Sequence, residues 1–198
     1  MSTRPRIMKR LITPIALLLA LASSGSLGAE DTGKAAVPAD NTVLLADLRT
    51  NVPGIFQYGS WEGKLAATKS GLAVLGAKGA QGDGGMGCNI EPALDCSQVS
   101  FVEVALGVVP TNEVPQVTIA LNDADGTQFT ARVPIEQLVP SQPVWLRARR
   151  EDFKLNGVEP GADSKMDWTK VSRWNLQGDW TTKRPLQVIF IALRVRKP

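Results

Sequence analysis

The sequence predicts an all-β fold, an antiparallel β-sandwich or jelly roll of eight or nine strands. Three observations carry that prediction. Apolar residues recur with a period of two over short stretches, as on a strand with one buried face, and no sustained helical period appears. Turn formers separate the stretches, with 18 Gly and 13 Pro in 198 residues. The final apolar stretch, Leu186–Val195, is apolar on both faces, which suits a strand in the middle of a sheet.

The elements follow in order. Residues 1–29 begin with Arg4, Arg6, Lys9 and Arg10, continue through the apolar run Leu11–Ala22 and end in small residues. A basic, then apolar, then small-residue opening is the pattern of a secretory signal peptide, with cleavage expected after Ala29. The apolar run is shorter than a bilayer span requires and Pro14 interrupts it, so no stable membrane anchor is expected after cleavage. The segment 30–42, rich in Ala, Asp, Gly, Thr and Pro, is expected to be a flexible lead-in, and the sandwich domain to occupy 43–198.

Within that domain, Leu44–Arg49 is an opening strand. Lys64–Lys69 and Leu72–Ala77 flank Ser70-Gly71 as a hairpin, and Gly79–Gly87 reads as a glycine-rich bend or bulged strand. Phe101–Val109 places Val102, Val104, Leu106 and Val108 on one face. Gln116–Asn122 turns Val117, Ile119 and Leu121 inward. After Asp123-Ala124-Asp125-Gly126, whose Asp-Gly pair suits a hairpin turn, Gln128–Val133 returns with Phe129, Ala131 and Val133 inward. Val144–Arg149 and Val171–Gln177 alternate in the same way, and one helical turn is expected near Ile135–Leu138.

Composition excludes several functions. There is no histidine, so neither a Ser-His-Asp or Cys-His nucleophile nor an HExxH zinc helix can form. The formal charge of +3 owes four cations to the first ten residues, and without them 18 Lys and Arg face 19 Asp and Glu. Nucleic acid, which demands a surplus of cations, is therefore not an expected partner. Cys88 and Cys96 stand eight apart, and in an oxidising compartment two such cysteines are expected to close a disulfide worth about 2–3 kcal/mol. Two thiolates alone do not make a metal site, and no cofactor is implied.

Outward positions of the alternating strands gather Thr118, Thr130, Arg132, Trp145, Arg147, Arg173, Asn175 and Gln177 into one polar face. Trp61, Trp168 and Trp180 fall in loops or at strand ends, whereas Trp174 alternates into the core. Flat aromatic surfaces beside planar hydrogen-bond donors are what saccharide recognition needs. Glu103 interrupts an apolar strand and is expected to face outward into solvent.

From residue 43 to 196 the chain resembles the galactose-binding-like jelly roll of carbohydrate-binding modules and complex I intermediate-associated-type domains. The cues, in order, are Leu44–Leu48 before an aromatic loop with Tyr58 and Trp61, the glycine-rich stretch, Val117–Leu121, Asp125-Gly126 and Phe129–Ile135. Pro143–Arg147 then leads to Glu151-Asp152-Phe153, and Val171–Gly178 to the closing strand Leu186–Arg194. The aspartate that such modules often carry near a structural calcium has no counterpart in Ile191-Ala192-Leu193-Arg194. The resemblance implies an exported, non-catalytic module that binds a carbohydrate. The alternatives are an accessory domain whose partner is another exported protein, and a glycoside hydrolase or lyase with a pair of carboxylates across a cleft.

Overall fold

A computed structural model describes residues 41–76 and 79–198. The expected signal peptide (1–29) and most of the lead-in (30–42) lie outside them. The described chain forms two antiparallel sheets of six strands each, twelve rather than the eight or nine expected. Two strands without an expected counterpart, Phe56–Gly59 and Lys154–Gly157, are four residues each, too short for a period-two pattern to declare itself, and the glycine-rich stretch continues as a strand as far as Leu94.

Sheet A holds β1 (Thr42–Asp47), β3 (Leu65–Thr68), β4 (Gly71–Val74), β6 (Phe101–Val108), β9 (Val144–Arg149) and β12 (Val188–Arg196). β12 is central: β6 runs along one side of it, while β4 and β1 share the other side end to end. Sheet B has the order β10-β8-β7-β11-β5-β2. Its strands are β2 (Phe56–Gly59), β5 (Gly84–Leu94), β7 (Gln116–Asp123), β8 (Gln128–Pro134), β10 (Lys154–Gly157) and β11 (Val171–Gln177). The chain crosses between the sheets repeatedly, so each sheet mixes early and late segments.

The core lies between the sheets. Val102, Val104 and Leu106 from β6 face Val117, Ile119 and Leu121 from β7 and Trp174 and Leu176 from β11, all at most 1% exposed. Phe129, Ala131 and Val133 line the same layer. Burial of these apolar side chains, each contributing about 1.5–3 kcal/mol for a fully covered Val, Leu or Ile, is the main force holding the sheets together.

Three sequence expectations need correction. The helical turn is not at Ile135–Leu138, which forms only a hydrogen-bonded turn (Leu138 N to Ile135 O, 3.2 Å); a 3-10 turn lies at Arg150–Asp152 instead. Cys88 and Cys96 are both free thiols, with no disulfide. Cys88 sits within β5 opposite Trp174, Leu94 pairs with Val171 three residues further along β11, and Cys96 lies beyond the strand, its N–H on Trp168 O. That ladder separates the thiols by at least about 10 Å, so the spacing that looked like a tight loop is an extended strand with a bulge. Burial pushes the Cys96 thiol up to about 11, which keeps it protonated.

Glu103 is the third correction. It does point away from the core, but its side chain is only 2% exposed, because Arg147 and Arg194 close over it.

Candidate ligand groove on sheet B

The outer face of sheet B is a trough, and strand register explains its shape. Reading across β8, β7, β11, β5 and β2, the first row of outward residues is Arg132, Thr118, Gln177, Gly85 and Tyr58. Two residues along, the second row is Thr130, Ala120, Asn175, Gly87 and Phe56. The third is Gln128, Asn122, Arg173 and Asn89, with Asn156 of β10 beside Gln128. In the first two rows Thr118, Ala120, Gly85 and Gly87 keep the middle low, and Arg132, Tyr58 and Phe56 raise the flanks. The result is a groove enclosing about 470 Å³.

The glycine run of β5 is the local cause of one wall. A Cβ at Gly85 would strike the Tyr58 ring, and one at Gly87 would strike the Phe56 ring and the Asn175 amide. Only a bare backbone lets both rings lie down against the sheet. On the other face of the same strand, Gly84 makes room for Trp61. Trp180, on the loop after β11, stacks on Tyr58 with ring centroids 6.4 Å apart and planes 15° apart, and remains 53% exposed.

The floor is a chain of amides. Asn175 Nδ2 donates to Asn122 Oδ1 (3.1 Å), Gln128 Nε2 donates to the same oxygen (3.2 Å), and Asn156 Nδ2 donates to Gln128 Oε1 (2.7 Å). Four side chains from β11, β7, β8 and β10 thereby fix one another, although Asn175 and Asn122 are nearly buried.

Asp179 is the only carboxylate among the described residues that line the groove. It accepts hydrogen bonds from Gln116 Nε2 (3.0 Å), Thr181 N (3.0 Å) and Thr181 Oγ1 (2.6 Å). Burial alone would raise its pKa, but those bonds and the charge of Arg132 outweigh it and hold the group below its ordinary value. Tyr58 behaves oppositely: burial pushes its phenol up to about 12, with Gln177 and Arg173 acting the other way. Its Oη is buried and, although Gln177 is near enough to act on it, no well-formed hydrogen bond reaches it.

The residues singled out from the sequence divide into four places. Arg132, Arg173, Asn175, Gln177 and Trp180 meet in this groove with Thr118 and Thr130. Trp145 and Arg147 belong to β9 of sheet A, on the opposite outer face, so the single polar face expected from alternation is two faces. Trp61 is no platform: it is fully buried against Phe190, with Nε1 donating to Gln81 O at 2.8 Å. Trp168 is half-buried, its ring edge-on to Phe153 and covered by the Arg150 guanidinium at 4.7 Å. Phe56, Tyr58, Asn122, Gln128 and Asn156 were not anticipated as site residues. The glycine run was a signal that could have found Tyr58 and Phe56, since Gly85 and Gly87 leave room for their rings.

The Asp123-Ala124-Asp125-Gly126 turn joins β7 to β8 as a hairpin, Asp123 accepting from Thr127 N and Asp167 N. Among the described residues no group of three or more Cys, Asp or Glu is arranged to hold a metal ion.

The sequence matches no protein-family model and no curated relative. Solved structures do match. A family 11 carbohydrate-binding module from Clostridium thermocellum, solved in complex with a β-1,3-1,4-mixed-linked tetrasaccharide, aligns over 80% of this chain and 97% of its own at a TM-score of 0.58 and 15% identity. The xylan-binding module CBM15 aligns over 80% of this chain and 97% of its own, at 0.53 and 9% identity. An agarase aligns over 80% of this chain but only 25% of its own, at 0.57 and 10% identity. The domain therefore shares the β-sandwich fold of these structures.

Proposed function

We propose that the domain is a non-catalytic carbohydrate-binding module that holds a polysaccharide segment in the groove of sheet B. The observation that carries this reading is an exposed aromatic wall facing a floor of amides that are already locked together. Sugar rings offer apolar C–H faces and many hydroxyls. Trp180 supplies a flat surface for the first, and Asn175, Gln177, Gln128 and Asn156 supply donors and acceptors for the second. Because the amides hold one another, little side-chain freedom is lost when a ligand arrives.

Two further points support the reading. Neighbours of the same fold are modules described as bound to a mixed-linked tetrasaccharide or as binding xylan. A glycosidase needs two carboxylates about 5–9.5 Å apart, whereas the carboxylate in this groove, Asp179, is occupied by three hydrogen bonds. The leader-like pattern of residues 1–29 supports an exported protein.

Affinity electrophoresis and calorimetry against a panel of plant and algal polysaccharides test the proposal. At least one is expected to bind, and Trp180→Ala is expected to weaken it about tenfold or more. Trp145→Ala, on the opposite sheet, is expected to leave that affinity unchanged. Folded protein that binds no member of the panel, or binding insensitive to Trp180→Ala, would refute the assignment of this groove.

A further inference from the structure

Resting on that reading, we infer that the groove selects an acidic glycan, engaging carboxylates on two different sugars of one chain, and that Arg132 and Arg173 are its charge readers. The argument starts from which arginines are already spoken for. Among the described residues, Arg49, Arg147, Arg149 and Arg194 each face a carboxylate within 4 Å, but Arg132 and Arg173 make no ion pair. Arg173 Nε donates to Asn89 Oδ1 at 2.9 Å, and its guanidinium lies 5.8 Å from the Phe56 centroid. These contacts orient it and leave its charge unanswered. Arg132 is exposed, with Asp179 near enough to be influenced by it. Asp179 itself is already bound by Gln116 and Thr181, so the pair of cations outnumbers the available anion.

A neutral chain filling this groove would cover two guanidinium groups and offer neither a counter-charge, which costs free energy at each. A uronate removes that cost. Its planar two-oxygen head matches the fork of a guanidinium and forms charge-assisted hydrogen bonds.

Spacing sets how the charges are distributed. Arg132 aligns through Thr118 with Gln177, four residues along β11 from Arg173. Four residues along a strand and two strand spacings across it put the two Cα atoms roughly 16 Å apart on the diagonal. The contacts of the heads keep them apart as well: Arg173 is held by Asn89 and lies toward Phe56, while Arg132 acts on Asp179 beyond Gln177, so one carboxylate does not serve both. The ligand that satisfies both is a chain that presents carboxylates on more than one sugar.

The test compares polygalacturonate and alginate with their carboxyl-reduced, neutral counterparts, using the whole domain and calorimetry. At least one acidic polymer is expected to bind about tenfold or more tighter than its reduced form, and Arg132→Gln or Arg173→Gln to remove about tenfold each. Raising salt from about 50 mM to about 500 mM is expected to weaken the acidic polymer and spare the neutral one. Arg132 is exposed and Arg173 half-exposed, and an unchanged thermal melt shows that each variant is folded. Equal binding of acidic and reduced polymers, both lost on Trp180→Ala, overturns the acidic selectivity and leaves the groove assignment standing. Failure of acidic and reduced chains alike overturns the acidic selectivity, and failure across the wider panel overturns the groove assignment as well.

Discussion

The two outer faces of the sandwich use the same residue types to opposite ends. On sheet A, Glu103 is clamped by Arg147 (Nε to Oε1, 2.9 Å) and Arg194 (Nε to Oε2, 2.7 Å). Each arginine then lies on an aromatic ring, Arg147 over Phe101 at 4.4 Å and Arg194 over Trp145 at 3.8 Å. On sheet B, arginines, aromatics and polar side chains occur again, but the arginines find no carboxylate and Trp180 stays open. Of the buried side-chain oxygens without partners among the described residues, Gln57 Oε1, Tyr58 Oη and Asp83 Oδ1, that of Tyr58 lies in the groove. One face has completed its own chemistry. The other has left bonds for a ligand to make.

The most disruptive way to break that contrast is to remove the anion of the completed face. Glu103→Gln leaves two arginines facing an uncharged group. The side chains of Arg147 and Arg194 are 48% and 26% exposed and can recover water, so the loss is expected at about 1–3 kcal/mol, below that of a fully buried pair. Urea denaturation measures it. Glycan affinity in the groove is expected to stay unchanged, and a parallel loss of binding would show that the two faces are not independent.

Acid probes the same pair of faces more gently. Glu103 would have its pKa raised by burial, but Arg194 and Arg147 override this and hold it below the ordinary value; Asp179 is lowered in the same net sense. A carboxylate whose folded pKa is depressed binds fewer protons folded than unfolded. Its stabilisation is thus present above the ordinary carboxylate pKa of about 4 and disappears as pH falls below that. Asp123 opposes this, since burial lifts its pKa. Urea midpoints stepped down from neutral pH are expected to fall below about pH 5, and Glu103→Gln to flatten the decline. An unchanged acid slope in that variant would remove Glu103 from the account.

The contrast also explains how much was readable beforehand. Period-two alternation revealed β6, β7, β8, β9 and β11 and the inward side of each, because burial of one face is a local property of a strand. Alternation says that Trp145 and Arg132 both point outward, yet not from which sheet, since sheet membership is decided by crossings such as that from β8 to β9. Arg147 was grouped with Arg173 for that reason. Trp61 looked like a loop residue, and only tertiary packing against Phe190 and Gly84 makes it core. The cysteines failed on the same point: eight residues can be a tight loop or an extended strand. Gly79–Gly87 was legible as a glycine-rich bend or bulged strand, while the rings that Gly85 and Gly87 admit, Tyr58 and Phe56, are brought there by pairing of β2 with β5.

The smallest expected effect is the most discriminating. Tyr58→Phe deletes the unpartnered Oη and keeps the ring that stacks on Trp180. A buried hydroxyl without a hydrogen bond is a cost to the free protein, so the variant is expected to equal or exceed the parent in stability by up to about 1 kcal/mol in urea melts. If the groove keeps that oxygen for a ligand, the same variant weakens glycan binding by a few-fold while the free protein gains. A residue of a self-completed face behaves otherwise: deleting an oxygen of the Glu103 cluster can only lose stability. Destabilisation by Tyr58→Phe would place Tyr58 with that second kind, and the distinction between a finished face and a waiting one would fail at the residue where it is sharpest.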